Sequence, residues 1–193
     1  MKKQLLGLFI ATIFMSTFTS CGYNEMVNKG EAVKKQWANV ESSYQRRSDL
    51  IGNLVNTVKG EANFEQKTLV DIANARANAT KMTIDPSKAT PEQLMQYQEA
   101  QGQFGQAIGR LLSISENYPN LKANTAFQDL RIQLEGTENR INTERNRYNE
   151  MVGDYNSYIK SIPQSFFAGS FGFTEKPYFQ SDKEAAKAPK VQF

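Results

Sequence analysis

Residues 24–59 read NEMVNKGEAVKKQWANVESSYQRRSDLIGNLVNTVK. Apolar side chains recur in this stretch at alternating intervals of four and three residues, and Gly30 and Arg47 occupy the two remaining positions of the pattern. The stripe consists of Met26, Val33, Trp37, Val40, Tyr44, Ile51, Leu54 and Val58. A strand would alternate with period two, so this spacing predicts one face of a long helix. A helix from Asn24 to Lys59 would span on the order of 50 Å.

Three further segments repeat the same spacing: residues 61–82, a helix that stops at Pro119, and the longest helix, from about Lys122 to Ile162. Thr90-Pro91-Glu92 has the order of an N-cap, a first-turn proline and a first-turn acid. Proline-containing turns at 84–91 and 118–120 allow the chain to fold back on itself. The sequence therefore predicts an all-α, up-and-down antiparallel bundle of about four helices, two of them long. An extended coiled-coil dimer is the alternative, and the first two segments could form one bent helix or two.

The composition excludes several classes of protein. The chain has 193 residues, 23 basic and 20 acidic side chains, and a net charge of +3. Without Lys2 and Lys3 these charges nearly balance, which argues against a nucleic-acid partner. Histidine is absent and Cys21 is the only cysteine. The chain therefore lacks the commonest general base and metal ligand and cannot form an intramolecular disulfide, so we expect no catalytic residues, no cofactor and no metal.

The first twenty residues resemble a secretory signal peptide. Lys2 and Lys3 precede an uncharged apolar run over residues 5–15, which is short for a membrane-spanning helix. The following Phe18-Thr19-Ser20-Cys21-Gly22 resembles the lipobox of bacterial lipoproteins, although Phe18 stands where leucine is usual. We expect cleavage before Cys21 and a diacylglycerol on its thiol, which would anchor the protein durably. An uncleaved signal anchor with an incidental cysteine is the alternative. Either interpretation places residues 21–179 in the cell envelope, facing the periplasm or the exterior.

The chain changes character after Pro163. Residues 165–173 are rich in phenylalanine and glycine, and Pro177-Tyr178-Phe179 follow closely. The aromatic residues Phe166 to Phe173 could cap the end of the bundle, dip into lipid or bind a partner, and capping is the commonest fate for such side chains. Residues 180–193 are rich in lysine and alanine and lack apolar periodicity, which predicts a disordered tail.

The chain resembles the LemA family of bacterial envelope proteins over roughly residues 23–179. The matching motifs are Arg46-Arg47-Ser48-Asp49-Leu50-Ile51, Asn53-Leu54-Val55, Thr57-Val58-Lys59-Gly60, Ala75-Arg76, Tyr118-Pro119-Asn120-Leu121-Lys122-Ala123, Leu134-Glu135-Gly136-Thr137-Glu138-Asn139-Arg140-Ile141, Tyr148-Asn149, Tyr155-Asn156 and Phe171-Gly172-Phe173. Gly52 stands where the family usually has proline, and Phe64 where it often has histidine. The resemblance implies a helical bundle displayed from a membrane by its N-terminus, and it implies no reaction.

Four groups of residues are candidates for a site. Arg47 and Glu144 fall on the helical stripes, either as a buried pair or, as we expect, at a stripe edge with solvated charges. Glu61, Glu65, Glu138 and Glu144 could form a carboxylate metal cluster, but such sites usually also need histidine. The Tyr148-Asn149 and Tyr155-Asn156 pairs lie one heptad apart, so we expect the tyrosines to fill the core and the asparagines to bond a neighbouring helix. Gly102, Gly105 and Gly109 would permit close helix packing or leave room for a ligand.

These features favour a non-enzymatic interaction or scaffold protein that is tethered to a membrane and has a protein partner in the envelope. The alternative is a bundle that binds a small apolar or envelope-derived ligand between its helices.

Overall fold

A computed structural model describes the backbone of residues 2–60 and 64–180 and the side chains of residues 22–60 and 64–180. Five helices and one short 3₁₀ turn account for its regular structure, and no strand occurs within these ranges. The elements are α1 (Lys2–Lys59), α2 (Gln66–Lys81), α3 (Pro91–Ser115), α4 (Pro119–Ala123), α5 (Thr125–Lys160) and the turn Gln164–Phe166. The predicted all-α bundle with two long helices is confirmed.

Two predicted features of the chain lie outside this description. The side chains of the proposed signal peptide, residues 1–20, and of Cys21 are not among those described, and neither are residues 181–193 of the proposed tail. Within the described part of the chain, no helix is long and apolar enough to cross a bilayer.

The predicted start of α1 is wrong. The helix begins at Lys2 and not near Asn24, since the apolar run before residue 24 contains no proline that would stop it. At 58 residues, α1 and not α5, with 36, is the longest helix. The first two segments are separate helices, because α1 ends at Lys59 and α2 begins only at Gln66.

The ends of α3 test the predicted capping signals. At its start, Thr90 Oγ1 accepts from Gln93 N at 3.2 Å and Gln93 Oε1 accepts from Thr90 N at 3.0 Å, so the predicted N-cap is confirmed as a full capping box. At its end, α3 stops at Ser115 and not at Pro119. Proline disfavours a helical conformation at Tyr118 and itself starts the short α4.

The helices pack as two antiparallel pairs of unequal length. α1 packs chiefly against α5, and α2 against α3. The loop between α2 and α3 reaches only partway down the longer pair, where Lys176 Nζ donates to Pro86 O at 3.2 Å. We call the end beside Gly22 and Lys160 the near end and the end beside Lys59 and Thr125 the far end. Four helices enclose the core toward the far end, whereas the near end of the α1–α5 pair has no cover from α2 or α3.

The C-terminal segment covers that near end. After α5 the chain turns through residues 161–173 and returns along the α1–α5 pair as an extended segment over residues 174–180, which we call the strap. Its Phe179 is 4% exposed and joins a core cluster with Trp37, Tyr97, Tyr148 and Tyr155. A second cluster fills the far half of the bundle around Leu54, Ile72, Phe104, Leu111 and Phe127. The strap thus covers the part of the α1–α5 pair that α2 and α3 do not reach.

Candidate functional site

An open groove runs between α3 and α5, which scarcely touch each other although α3 packs against α2 and α5 against α1. Its volume is about 1200 Å³. The floor contains Arg47, Ile108, Leu134 and Ile141, and the walls carry Gly102, Gly105 and Gly109 of α3 and Arg131, Glu138 and Arg145 of α5. Along α3 it extends from Met95 to Leu112, a length of about 25 Å.

The three glycines leave room in this groove. A Cβ atom built on Gly102 or Gly109 would meet no other atom within 4 Å, and on Gly105 it would lie 3.8 Å from Arg47 Nη1. No helix packs closely against these positions. Of the two predicted roles, close helix packing is therefore wrong. The glycines line the groove and leave the space beside them empty.

Arg47 lies on the floor of the groove with its charge buried. Its side chain is only 4% exposed, so the expected position at a stripe edge with a solvated head is wrong. Nη1 bonds Glu138 Oε2 at 3.0 Å, and Nη2 donates to Gln101 O at 3.1 Å and to Gln101 Oε1 at 2.7 Å. The guanidinium also lies 5.0 Å from the Tyr44 ring and 5.3 Å from the Phe104 ring. A buried cation persists here because three oxygens and two aromatic faces surround it.

Glu144 is also buried, with partners of its own. It is 5% exposed, and its Oε2 accepts from Gln36 Nε2 at 2.7 Å. Its other oxygen lies 3.3 Å from Arg147 Nη1. The solvated-edge interpretation is thus wrong for Glu144 as well, and Arg47 and Glu144 do not pair with each other.

The proposed carboxylate cluster does not assemble among the described residues. Glu65 binds Thr68, Glu138 binds Arg47, and Glu144 binds Gln36, while Glu61 lies outside the description. Within residues 22–60 and 64–180, no three acidic, histidine or cysteine side chains gather as metal ligands do.

The repeated Tyr-Asn pairs hold the strap. Asn156 Nδ2 donates to Lys176 O at 2.9 Å, and Lys176 N donates to Asn156 Oδ1 at 2.9 Å. Asn149 makes the same pair of bonds to the N–H and C=O of Phe179, at 2.8 and 2.9 Å. The tyrosines are in the core as predicted, whereas the asparagines bind an extended segment and not a neighbouring helix.

A third side-chain amide, that of Gln98 on α3, makes the same pair of bonds to the strap. We call Asn156, Asn149 and Gln98 the amide ladder. Gln98 Nε2 donates to Gln180 O at 2.7 Å, and Gln180 N donates to Gln98 Oε1 at 3.2 Å. Arg145 Nη2 donates to the same carbonyl at 3.0 Å. Because Gln98, Arg145 and Gln180 also line the groove, Gln180 of the strap lies at its mouth. The unusual density of glutamine in α3 was the available sequence signal for this role.

An aromatic pocket receives the side chain of Phe179. The ring stacks on Trp37 at 5.7 Å and meets Tyr148 edge-on at 5.3 Å. Burial raises the pKa of Tyr148 to about 12 and also raises the pKa of Tyr97. Beside the pocket, burial lowers the pKa of Lys176, and Lys34 lowers it further. This pocket favours neutral groups, which suits a structural anchor.

The phenylalanine-rich turn caps the bundle only in part. Ala168 is 5% exposed, and Phe173 packs edge-on against Tyr23 at 5.5 Å. Phe166 and Phe171 are 72% and 54% exposed. The expected capping role is therefore correct for Ala168 and Phe173 and wrong for the two exposed phenylalanines.

Comparison with known proteins identifies relatives over nearly the whole chain. A family model described as the LemA family matches residues 36–193. The magnetosome protein MamQ 2 of Paramagnetospirillum magneticum is 30% identical over 202 residues, covering 94% of this chain and 70% of that protein. MamQ of Magnetospirillum gryphiswaldense is 29% identical over 95% of this chain and 71% of its own length. Protein LemA of Metamycoplasma hominis is 25% identical over 94% of this chain and 80% of its own length.

Proposed function

The chain belongs to the LemA family, and on that premise we propose that it is a membrane-tethered, non-enzymatic interaction protein of the bacterial cell envelope whose α3–α5 groove binds a segment of another polypeptide. The tether is the N-terminal segment, with a diacylglycerol on Cys21 as its chemical form. It places the bundle in the periplasm or at the exterior. The basic, apolar and small-residue regions before Cys21 support this placement.

The absence of histidine and the engagement of the buried charges support a non-enzymatic role. The buried ionic groups on the groove floor and beside it, Arg47 and Glu144, already have hydrogen-bond partners. A catalytic group would instead be expected to point into the cleft with a strongly shifted pKa. The names of the three relatives given above describe no enzyme.

The observation that carries the proposal of a polypeptide ligand is the Gln98–Gln180 pair at the groove mouth. There an α3 amide binds both the N–H and the C=O of an extended backbone. Gln103 and Gln106 line the groove farther along the same helix, so the wall offers more amides of the same chemistry. Such bonds recognise backbone without regard to sequence, and charges of both signs at Glu99, Glu135 and Arg131 would select the side chains.

The groove is less suited to the alternative, a small apolar ligand. A small-molecule site usually encloses most of its ligand within apolar walls. Here the walls carry glutamine, glutamate and arginine, and the groove is open to solvent along its length. An elongated partner that satisfies these polar groups fits better.

Site-specific photo-crosslinking in intact cells tests the proposal. A photoreactive amino acid is placed at Gly102 or Gly109, which line the groove and where an added Cβ would meet no atom within 4 Å. We expect both positions to yield the same crosslinked protein, recovered from the membrane fraction.

Gly136 provides the matched control. It is an exposed helical glycine of α5, it also has nothing within 4 Å of its Cβ position, and it does not line the groove. The same probe at Gly136 should give no such product. Crosslinks of equal strength at all three positions, or none at Gly102 and Gly109, would refute binding in the groove. A product of lipid size at the groove positions would favour the alternative.

A further inference from the structure

The near end of the bundle carries a concentration of exposed apolar side chains. Ile162 is 79% exposed, Phe166 72%, Phe171 54%, Tyr23 41% and Phe167 38%. We call these five residues the aromatic end. Large exposed apolar side chains are scattered singly elsewhere in the described residues, as at Val70 and Ile132. A concentration of exposed apolar surface usually marks a contact with a partner or a membrane.

The turn that presents these side chains is internally bonded. Phe166 N donates to Pro163 O at 3.2 Å, Ala168 N to Gln164 O at 2.9 Å, and Phe173 N to Ala168 O at 2.9 Å. Tyr23 meets Phe171 edge-on, with ring centroids 5.3 Å apart. The phenylalanines are therefore held outward by a bonded turn that packs on the start of the bundle.

No charge interrupts this surface. Residues 161–174 contain no acidic or basic side chain, and neither do residues 4–24. The charged residues next to this surface along the chain form ion pairs: Glu25 with Lys29 at 3.7 Å, and Lys160 with Glu175 at 2.7 Å. A charge-free, aromatic surface bounded by ion pairs has the polarity of a surface that enters the interfacial layer of a bilayer.

The N-terminal segment leaves the bundle at this surface. A Cβ on Gly22 would lie 3.8 Å from Gln164 Cγ, so Gly22 is adjacent to the turn, and Tyr23 is part of the aromatic end itself. α1 continues without a break from there back to Lys2 through the uncharged run. If either the apolar run or a lipid on Cys21 is embedded in a membrane, the aromatic end lies at the same depth as residue 22.

We propose that the aromatic end inserts into the lipid interface and sets the bundle upright on the membrane. This inference rests on the membrane tether of the proposed function and adds a second, non-covalent contact to it. The occupant is the bilayer, because the surface adjoins the point where the apolar N-terminal segment departs. Along α5, Arg145 then stands about 22 Å and Arg131 about 43 Å from the near end. The groove is thus held clear of the lipid, where a polypeptide partner can reach it.

Quenching by brominated lipid tests this insertion in the full chain. Protein purified from membranes is reconstituted into phosphatidylcholine–phosphatidylglycerol vesicles whose acyl chains carry bromine, which quenches indole fluorescence only at short range. The variant is Phe166→Trp, and Phe171→Trp repeats the test at a second exposed position. The buried native Trp37 provides a constant background, since it lies about 22 Å along α1 from Gly22.

Ile132→Trp is the matched control, because Ile132 is 66% exposed on the far half of α5. We expect the indoles introduced at residues 166 and 171 to lose most of their emission in brominated vesicles, while the indole at 132 is unaffected. If the protein floats with vesicles but residues 166 and 171 are not quenched, the insertion is refuted and the tether stands. If the protein does not float at all, the tether fails and the insertion fails with it. Quenching that disappears when a copurifying protein is added back would show that the surface belongs to that protein.

Discussion

Replacing Asn156 by alanine should release the strap while leaving the helices folded. The side chain is 3% exposed and makes two hydrogen bonds of 2.9 Å, one to the C=O and one to the N–H of Lys176. The substitution leaves both backbone groups buried without a partner, and each such group costs about 1–3 kcal/mol. Two such groups sum to about 2–6 kcal/mol, and we expect docking of the strap to weaken by the lower part of that range, roughly 2–4 kcal/mol, because a loosened strap lets water reach them. The free energy of unfolding of the whole bundle should fall by no more than the docking energy, because the released groups can reach water.

Native-state amide hydrogen exchange measures this change directly. A loss of 2–4 kcal/mol corresponds to exchange that is roughly 30-fold to nearly 1000-fold faster at the Lys176 and Phe179 amides. Amides in the middle of α1 and α5 should keep their protection. Asn142→Ala is the control, since Asn142 is an exposed asparagine of the same helix. Unchanged protection at Lys176 and Phe179 in N156A would refute the assignment of the amide ladder as the feature that holds the strap.

Three further predictions concern the groove and the aromatic pocket. Burial raises the pKa of Tyr148 from 10 to about 12, so the unfolded chain loses this proton first and the free energy of unfolding must fall between pH 10 and 12. Tyr148→Phe should remove about 3 kcal/mol of that fall, which urea denaturation across this pH range measures. An unchanged pH dependence in this variant would refute the prediction. Glu138→Gln leaves the buried Arg47 without its carboxylate, and because Glu138 is 50% exposed we expect the free energy of unfolding to fall by only about 1–2 kcal/mol. The control Glu135→Gln, at an exposed position, should cause no measurable fall. Gly102→Ala in the groove should raise the free energy of unfolding by about 0.5–1 kcal/mol, because its Cβ would meet no atom within 4 Å. Gly136→Ala, outside the groove, should raise it by the same amount for the same reason. A destabilised G102A would contradict the open groove.

The helical stripes were predictable because each local pattern agrees with the final packing. Every stripe residue of α1, from Met26 through Trp37 and Ile51 to Val58, is buried. The capping box at Thr90 was equally local, since its bonds join residues only three apart. The missed helix start had a different cause. The stripe of alternating intervals begins only at Met26, so it does not mark where the helix starts, and nothing in the apolar run before residue 24 stops a helix.

The groove was not predictable, because it results from a contact that is not made. Glycines in a helix can mean close packing or open space, and only the separation of α3 from α5 decides between the two. The burial of Arg47 depends on Gln101 and Glu138, which are far away in sequence. The heptad spacing predicts that the two asparagines share one helical face, but their partner is an extended segment that periodicity does not describe.

The membrane tether is the premise on which both the presentation of the groove and the seating of the aromatic end depend. Mass spectrometry of the mature protein, purified from membranes, tests it most directly. We expect an N-terminus at Cys21 whose mass includes a diacylglycerol on the thiol. An intact Met1, or a Cys21 without modification, would contradict lipid anchoring at this residue.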